Sequence, residues 1–240
     1  EKANSYPGKS RDPTMEWLLQ RERVQEMLKC RTVRCETDWN GDWWKGGRVF
    51  YQRSETAAEK PWDFVNRTTT NAAGLDGVDM IPIFKEADGS HSVLIVAQFR
   101  PVVAKVCLEF PAGLADEKES MEDAALRELR EETGVHVPHR KEEERLGVEG
   151  DSSFSVTPSP MTRVNPSGSA ETTALVVVES EEAAVFAETD WDEDEVIEVF
   201  MVPLKGLRSK LAAIMKETPL EVDAKLFTFA WGVELGMKYQ

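Results

Sequence analysis

Between Gly113 and Val135 the chain reads GLADEKESMEDAALRELREETGV, a run that sets Glu119, Glu128, Glu131 and Glu132 beside Arg127. Carboxylate oxygens are hard ligands. They suit Mg²⁺ or Mn²⁺, which keep places in their shell for water and for substrate phosphates. The chemistry these residue types point to is metal-assisted attack on a pyrophosphate.

One turn and one helix must position these groups. Ser120 followed by Asp123 has the spacing of a capping box, and Glu119, Glu122 and Asp123 suit the positive end of a helix dipole. Ala124, Ala125, Leu126 and Leu129 favour helix, and Gly134 stops it. On that helix Glu128 and Glu132 stack one turn apart, with Glu131 at the edge of their face, while Met121, Ala125 and Leu129 form a stripe that can pack on a sheet. Stacked like charges cost stability unless a cation lies between them. A solvated acidic face is the plainer explanation in so acidic a chain, but the spacing argues against it. Seven positions are fixed in identity and two are aliphatic, a match expected by chance on the order of 10⁻⁹ per window.

The pattern Gly-x5-Glu-x7-Arg-Glu-U-x-Glu-Glu-x-Gly-U, with U aliphatic, resembles the Nudix box at every position. The resemblance implies a Nudix hydrolase with an α/β fold, an α/β/α sandwich of mixed sheets. Such enzymes use divalent metal and water to cleave nucleoside diphosphates linked to another moiety.

Composition narrows the partners. A chain of 240 residues can form one large domain with a proper core. Its net charge of −15 argues against nucleic acid or an anionic membrane as partner. An anionic substrate must then be bound through metal and a few local arginines. The three cysteines fit a reducing compartment, and Cys30 with Cys35 lacks the second pair that zinc requires. No signal peptide and no membrane-length apolar run are present in the sequence, so the expected location is the cytoplasm, with the nucleus as the other candidate.

Along the chain, residues 1–42 read as an N-terminal extension, partly flexible, with a helix in Met15 to Cys30. Residues 43–240 read as the hydrolase domain, whose first strands the resemblance implies are used for dimerisation. Strand-like runs fall at Gly47–Gln52, Trp62–Thr68, Val78–Phe84, Val93–Gln98 and Val106–Phe110, with a hairpin turn at Ala87–Ser90. His139–Gly150 reads as a surface loop, and Ser152–Gly168 as a second loop with one strand at Ser153–Val156. Strands follow at Thr173–Val178 and Val196–Val202, separated by an acidic loop. Helices at Leu207–Glu217 and Val222–Met237 close the fold.

The flanks Gln98-Phe99-Arg100-Pro101, Glu109-Phe110-Pro111-Ala112-Gly113, Asp76-Gly77-Val78 and Val222-Asp223-Ala224-Lys225 resemble the ADP-ribose and ADP-sugar pyrophosphatase branch of that family. The branch implies metal contacts from the Ala112 carbonyl, Glu128 and Glu132, with Mg²⁺ or Mn²⁺ as cofactor. It implies Glu109 on substrate or water, and Arg67 and Arg100 on phosphates. Trp44 and Trp62 would stack on adenine, with the pair drawn from the two subunits of a homodimer. Trp17, Trp39 and Trp43 read as ordinary core or interface aromatics. Glu131 and Glu195 compete as general base, with Arg127 of the box counted among the catalytic groups. One departure is a displaced proline: Asn165-Pro166-Ser167-Gly168-Ser169 matches the branch's segment only if about 16 residues are inserted within 139–164. The expected reaction is hydrolysis of ADP-ribose or a related ADP-sugar to AMP and sugar phosphate. The alternatives are another nucleotide (NADH, FAD, a dinucleoside polyphosphate or a nucleoside triphosphate) or a sensor that binds ADP-ribose without turnover.

Overall fold

The computed structural model describes residues 20, 22–137, 154–187, 189 and 196–239. The chain divides into two compact units. The first runs to Thr68 and takes in Asn165–Ala170; the second comprises Thr69–Val164 and Glu171–Gln240.

In the first unit a short helix, α1 (Glu22–Met27), precedes an antiparallel sheet of β1 (Arg31–Asn40), β2 (Trp44–Gln52) and β3 (Lys60–Arg67), in that order. All ten residues of β1 are exposed. Its sequence alternates Val33, Cys35, Thr37 and Trp39 with Arg34, Glu36, Asp38 and Asn40, yet it is not among the strand-like runs above, which begin after Trp43. It is extended because β2 pairs with it from Arg31↔Gln52 to Asn40↔Lys45. Charges reinforce the ladder: Arg34 bonds Glu36 and Glu59 and lies 3.4 Å over the Phe50 ring. A Cβ at Gly47 would stand 2.0 Å from the Glu36 carbonyl oxygen, so the bulged ladder closes only over glycine. Trp39 and Trp43 are exposed rather than core. Along the outer edge of β3, Asn165–Ala170 forms a strap. The Gly168 carbonyl accepts from the Val65 N–H at 2.9 Å, and Asn66 Oδ1 accepts from the Ala170 N–H at 2.7 Å.

Among the described residues the second unit holds a mixed sheet of nine strands. They are β4 (Gly77–Lys85), β5 (His91–Arg100), β6 (Lys105–Glu109), β7 (Ala112–Leu114), β8 (Phe154–Pro158), β9 (Thr162–Arg163), β10 (Thr172–Ser180), β11 (Ile197–Pro203) and β12 (Glu221–Val222). The order is β12-β6-β5-β4-β10-β8, with β11 on β5, β7 on β4 and β9 on β10. β4 runs parallel to β10, and β12 to β6. The β4–β5 turn forms where expected: the Glu86 N–H donates to the Ser90 carbonyl at 2.8 Å, and Gly89 takes φ 82.

Among the described residues three helices cover this sheet: α2 (Met121–Thr133), α3 (Leu207–Glu217) and α4 (Ala224–Lys238). Strand residues alternate between two cores. Val78, Met80, Leu94 and Val96 pack against Ala124, Ala125 and Leu129 of α2. Ile81, Val93 and Ile95 pack with Leu207 and Leu211 of α3 and Leu226 and Ala230 of α4. Each buried leucine contributes about 1.5–3 kcal/mol. The result is the expected α/β/α sandwich. The last helix starts two residues later than the sequence suggests, at Ala224, because Asp223 caps it by accepting from the Lys225 N–H at 2.7 Å. The strand expected at Ser153–Val156 runs to Pro158, and β9 is an addition. The loop His139–Gly150, the start of the expected N-terminal helix and Glu195 lie outside the described residues.

Candidate active site

The box helix begins and ends as its sequence dictates. Ser120 Oγ accepts from the Asp123 N–H at 3.0 Å, and Gly134 closes the helix in the left-handed region with its N–H on the Arg130 carbonyl. Leu129 and Ala125, fully buried, fix one face to the sheet. The acidic side meets the lead-in strand β7, which is zipped to β4 through Asp79↔Ala112, Val78↔Gly113 and Gly77↔Leu114.

Two carboxylates are seated on that backbone. Glu132, buried, accepts from the Ala112 N–H at 3.0 Å. Glu128 lies over Gly113 so closely that a Cβ there would stand 1.9 Å from its carboxyl carbon. The first glycine of the box is therefore needed for room, not for an unusual φ.

Arg127 gathers the remaining acids. Its guanidinium donates to both Glu119 oxygens at 2.9 and 2.8 Å, to Glu128 at 2.8 Å, to Glu131 at 3.0 Å and to the Leu114 carbonyl at 2.8 Å. Those five bonds use every donor an arginine has. The hydrogen bonds to Glu119, then those to Glu128, push its pKa still higher against the opposing effect of burial. This cation answers the repulsion inherent in the sequence. The Glu119 and Glu128 side chains are each 14% exposed, whereas Glu131 is 39% exposed. Glu131 is thus the carboxylate of the cluster most open to water.

Among the described residues, no three acidic, histidine or cysteine side chains stand close enough to form a ligand set in this arrangement. The donor chemistry nevertheless fits a hard divalent cation. The Ala112 backbone, Glu128 and Glu132 adjoin one another, oxygen is the only side-chain donor type, and Glu128 occupies the space a Cβ would fill.

The other expected site residues form two further groups. Arg100 and Glu109 hold each other, with Nε on both carboxylate oxygens at 3.1 and 3.0 Å and Nη2 on Oε2 at 2.6 Å. That pairing raises the Arg100 pKa against burial. In the first unit Arg67 lies 4.0 Å over the Trp44 ring, its partner in the β2–β3 ladder. Trp62 pairs with Val49, five positions along β3 from Arg67, and its indole N–H donates to the Ser167 carbonyl at 2.7 Å. Five residues of strand span about 17 Å, so Trp44 and Trp62 of one chain cannot enclose one base.

Two buried acids have no role in the sequence reading, although Asp76 lies in one of its flanking motifs. Asp76 accepts from the Thr172 N–H at 2.7 Å and from the Thr70 hydroxyl at 2.5 Å. Asp79 is held by Thr173 and Lys225. For Asp79 the signal was present, because an acid inside an apolar strand demands partners.

An α/β/α sandwich that lays a carboxylate-rich helix on a glycine lead-in is the architecture of a pyrophosphate-cleaving hydrolase. Residues 75–221 match the NUDIX domain, and the chain belongs to the Nudix family as a Nudix hydrolase. It is 34% identical to an uncharacterised Nudix hydrolase of Schizosaccharomyces pombe, over 82% of this chain and 88% of that one. It is 28% identical to the ADP-ribose pyrophosphatase of Saccharomyces cerevisiae, over 94% and 91% of the two chains. The ADP-sugar pyrophosphatase of Mus musculus is 32% identical, over 79% and 80%. The fold is similar to the crystal structure of an ADP compounds hydrolase, with TM-score 0.55 and 16% identity over 88% of this chain and 95% of that one. Among the described residues no helix is long and apolar enough to cross a membrane.

Proposed function

We propose that this Nudix hydrolase splits the pyrophosphate bond of ADP-ribose or a related ADP-sugar, releasing AMP and a sugar phosphate. The observation that carries the reading is the seating of Glu128 on Gly113 and of Glu132 on Ala112, directly after Glu109-Phe110-Pro111. The yeast and mouse relatives, named for ADP-ribose and ADP-sugar, support the substrate class.

In this reading the Ala112 carbonyl, Glu128 and Glu132 hold Mg²⁺ or Mn²⁺, which when bound polarises the pyrophosphate and acidifies water. The chain's own groups supply the rest. Arg127 fixes Glu128 and Glu131 in place. Glu131 or Glu195 aligns the attacking water and takes its proton, and the exposure of Glu131 suits it to that role. Arg100 turns outward donors toward phosphate while Glu109 holds its inner edge, and Arg67 is a second phosphate ligand. Trp44 and Trp62 stack on adenine. Their separation within one chain supports a homodimer that draws the pair from two copies, with 43–240 as the hydrolase domain and its first strands at the dimer contact.

The test is incubation of the purified protein with ADP-ribose and Mg²⁺ beside ADP-glucose, NADH, ATP and diadenosine polyphosphates, with products resolved by chromatography. AMP and ribose phosphate formed fastest from ADP-ribose is the expected result. Preferred turnover of a non-sugar nucleotide would overturn the substrate class and leave the metal site standing.

A further inference from the structure

Asp79 is a buried carboxylate with no part in the reaction just described. It sits in the apolar run Val78-Asp79-Met80-Ile81 of β4, where Val78 and Met80 face the α2 core and Ile81 the α3–α4 core. A charge in such a run is costly unless it is both paired and hydrogen-bonded. Two other elements meet that need. The Thr173 hydroxyl of β10 donates to Oδ2 at 2.7 Å, and the Lys225 ammonium, from the first turn of α4, pairs with Oδ1.

The rung that Lys225 reaches is the one opposite Ala112. On either side of it, Val78 pairs with Gly113, and the Met80 N–H donates to the Pro111 carbonyl at 2.8 Å. Ala112 is thus bound to Glu132 of α2 through its own N–H, while its strand partner is tied to α4 on the other face of the sheet. We propose that Asp79 and Lys225 are a positioning pair: by clamping β4 to α4 at the Ala112 rung, they fix where the Ala112 carbonyl points. This rests on the reading of Ala112, Glu128 and Glu132 as metal ligands. A tether alone would not need charge here, because Leu226 and Ala230 already dock α4 on the sheet and apolar residues in place of an ion pair whose carboxylate is buried are commonly as stable. What the ion pair adds is a directional restraint. Groups that orient metal ligands in this way change metal affinity about 10- to 100-fold when removed.

The probe is Mn²⁺ alone, titrated into the full chain without nucleotide and followed by the electron paramagnetic resonance signal of the free ion. The site counted is the one lost in Glu128→Gln. Lys225→Met and Asp79→Asn are expected to weaken that site about tenfold, and Lys225→Arg to stay within about twofold. The double variant Asp79→Ala/Lys225→Met leaves no unpaired buried charge. It should regain the unfolding temperature lost in Lys225→Met and yet keep the weakened Mn²⁺ site. Unchanged affinity in folded Lys225→Met, or affinity that recovers with stability in the double variant, would reduce the pair to a structural tether. If Glu128→Gln bound Mn²⁺ like the unsubstituted protein, the ligand assignment itself would fail, and the positioning role with it.

Discussion

Two arginines, Arg34 of β1 and Arg127 of α2, each gather glutamates, yet the two clusters work differently. The Arg34 side chain is 44% exposed and its partners Glu36 and Glu59 are 46% and 36% exposed. Every one of those charges keeps much of its water, so the pairing gains little and salt screens it. Around Arg127 the carboxylates of Glu119 and Glu128 have given up most of theirs. There, each donor of the guanidinium has a partner, and loss of one group leaves the others desolvated and unmatched. The same residue types stabilise a surface ladder in one region and hold a reactive arrangement in the other. What separates them is the backbone of Ala112–Leu114, which closes over the second cluster and not the first.

The largest effect should come from closing that space. Gly113→Ala puts a Cβ where the Glu128 carboxylate lies. The displaced atoms end a side chain that Arg127 also holds, so the unfolding temperature should fall by less than in Arg127→Met, while kcat/KM on the best substrate falls about a hundredfold. Full activity in a folded Gly113→Ala protein would break the contrast, because the seating of Glu128 would then be incidental. Next comes Arg127→Met, which strands three carboxylates. Discounted for the part of the side chain that reaches water, the cost is about 2 kcal/mol, seen as a drop of roughly 4–8 °C in thermal unfolding. A smaller loss than that of Arg34→Ala would place the two clusters in one class.

The box was legible in the sequence because its parts are contiguous. Ser120, Gly134, the apolar stripe and the acid face all follow from helix period and caps, and the structure reproduces each. The family that the box resembles implied one fold, and the sandwich followed. Less legible was everything that depends on pairing across the chain. Asp79 meets Lys225 only once β4 lies in register with β7 and α4 has docked. The strand β1 does carry a period of two, Val33, Cys35, Thr37 and Trp39 against Arg34, Glu36, Asp38 and Asn40. But charged residues surround it, no face of it is buried, and its pairing with β2 was not read. The strap at Asn165–Ala170 starts at the end of the loop read at Ser152–Gly168, in the segment that resembles the branch, and its bonds to Val65, Asn66 and Trp62 could not be inferred from composition. Arg100 and Glu109 were each assigned to substrate, and their mutual grip became visible only with β5 beside β6.

The cysteines sharpen the comparison at a smaller scale. Cys30 and Cys35 are exposed beside and within the first sheet, whereas Cys107 of β6 is buried. Burial pushes the Cys107 thiol up, and nearby Glu109 adds to the shift. Since the thiolate is the reacting form, iodoacetamide at mildly alkaline pH should modify Cys107 at least about tenfold more slowly than the other two, as read by peptide mass mapping. Equal rates would show that the β5–β6 region opens as readily as the exposed sheet.

The smallest effect belongs to Arg34. Removing it takes away the bonds to Glu36 and Glu59 and the contact with the Phe50 ring, but leaves two solvated carboxylates that water can serve. Arg34→Ala should lower the unfolding temperature by no more than about 2 °C, and high salt should erase most of that difference. The turnover number kcat should not move, since Arg34 has no place in the reacting cluster, and any change should fall on KM through Trp44, Trp62 and Arg67 of the same sheet. A large, salt-resistant loss would instead mean that water leaves the β1 face when the protein assembles in solution. That is the outcome expected if a second copy covers this face in the homodimer, and repeating the melt across a range of protein concentrations would separate the two cases.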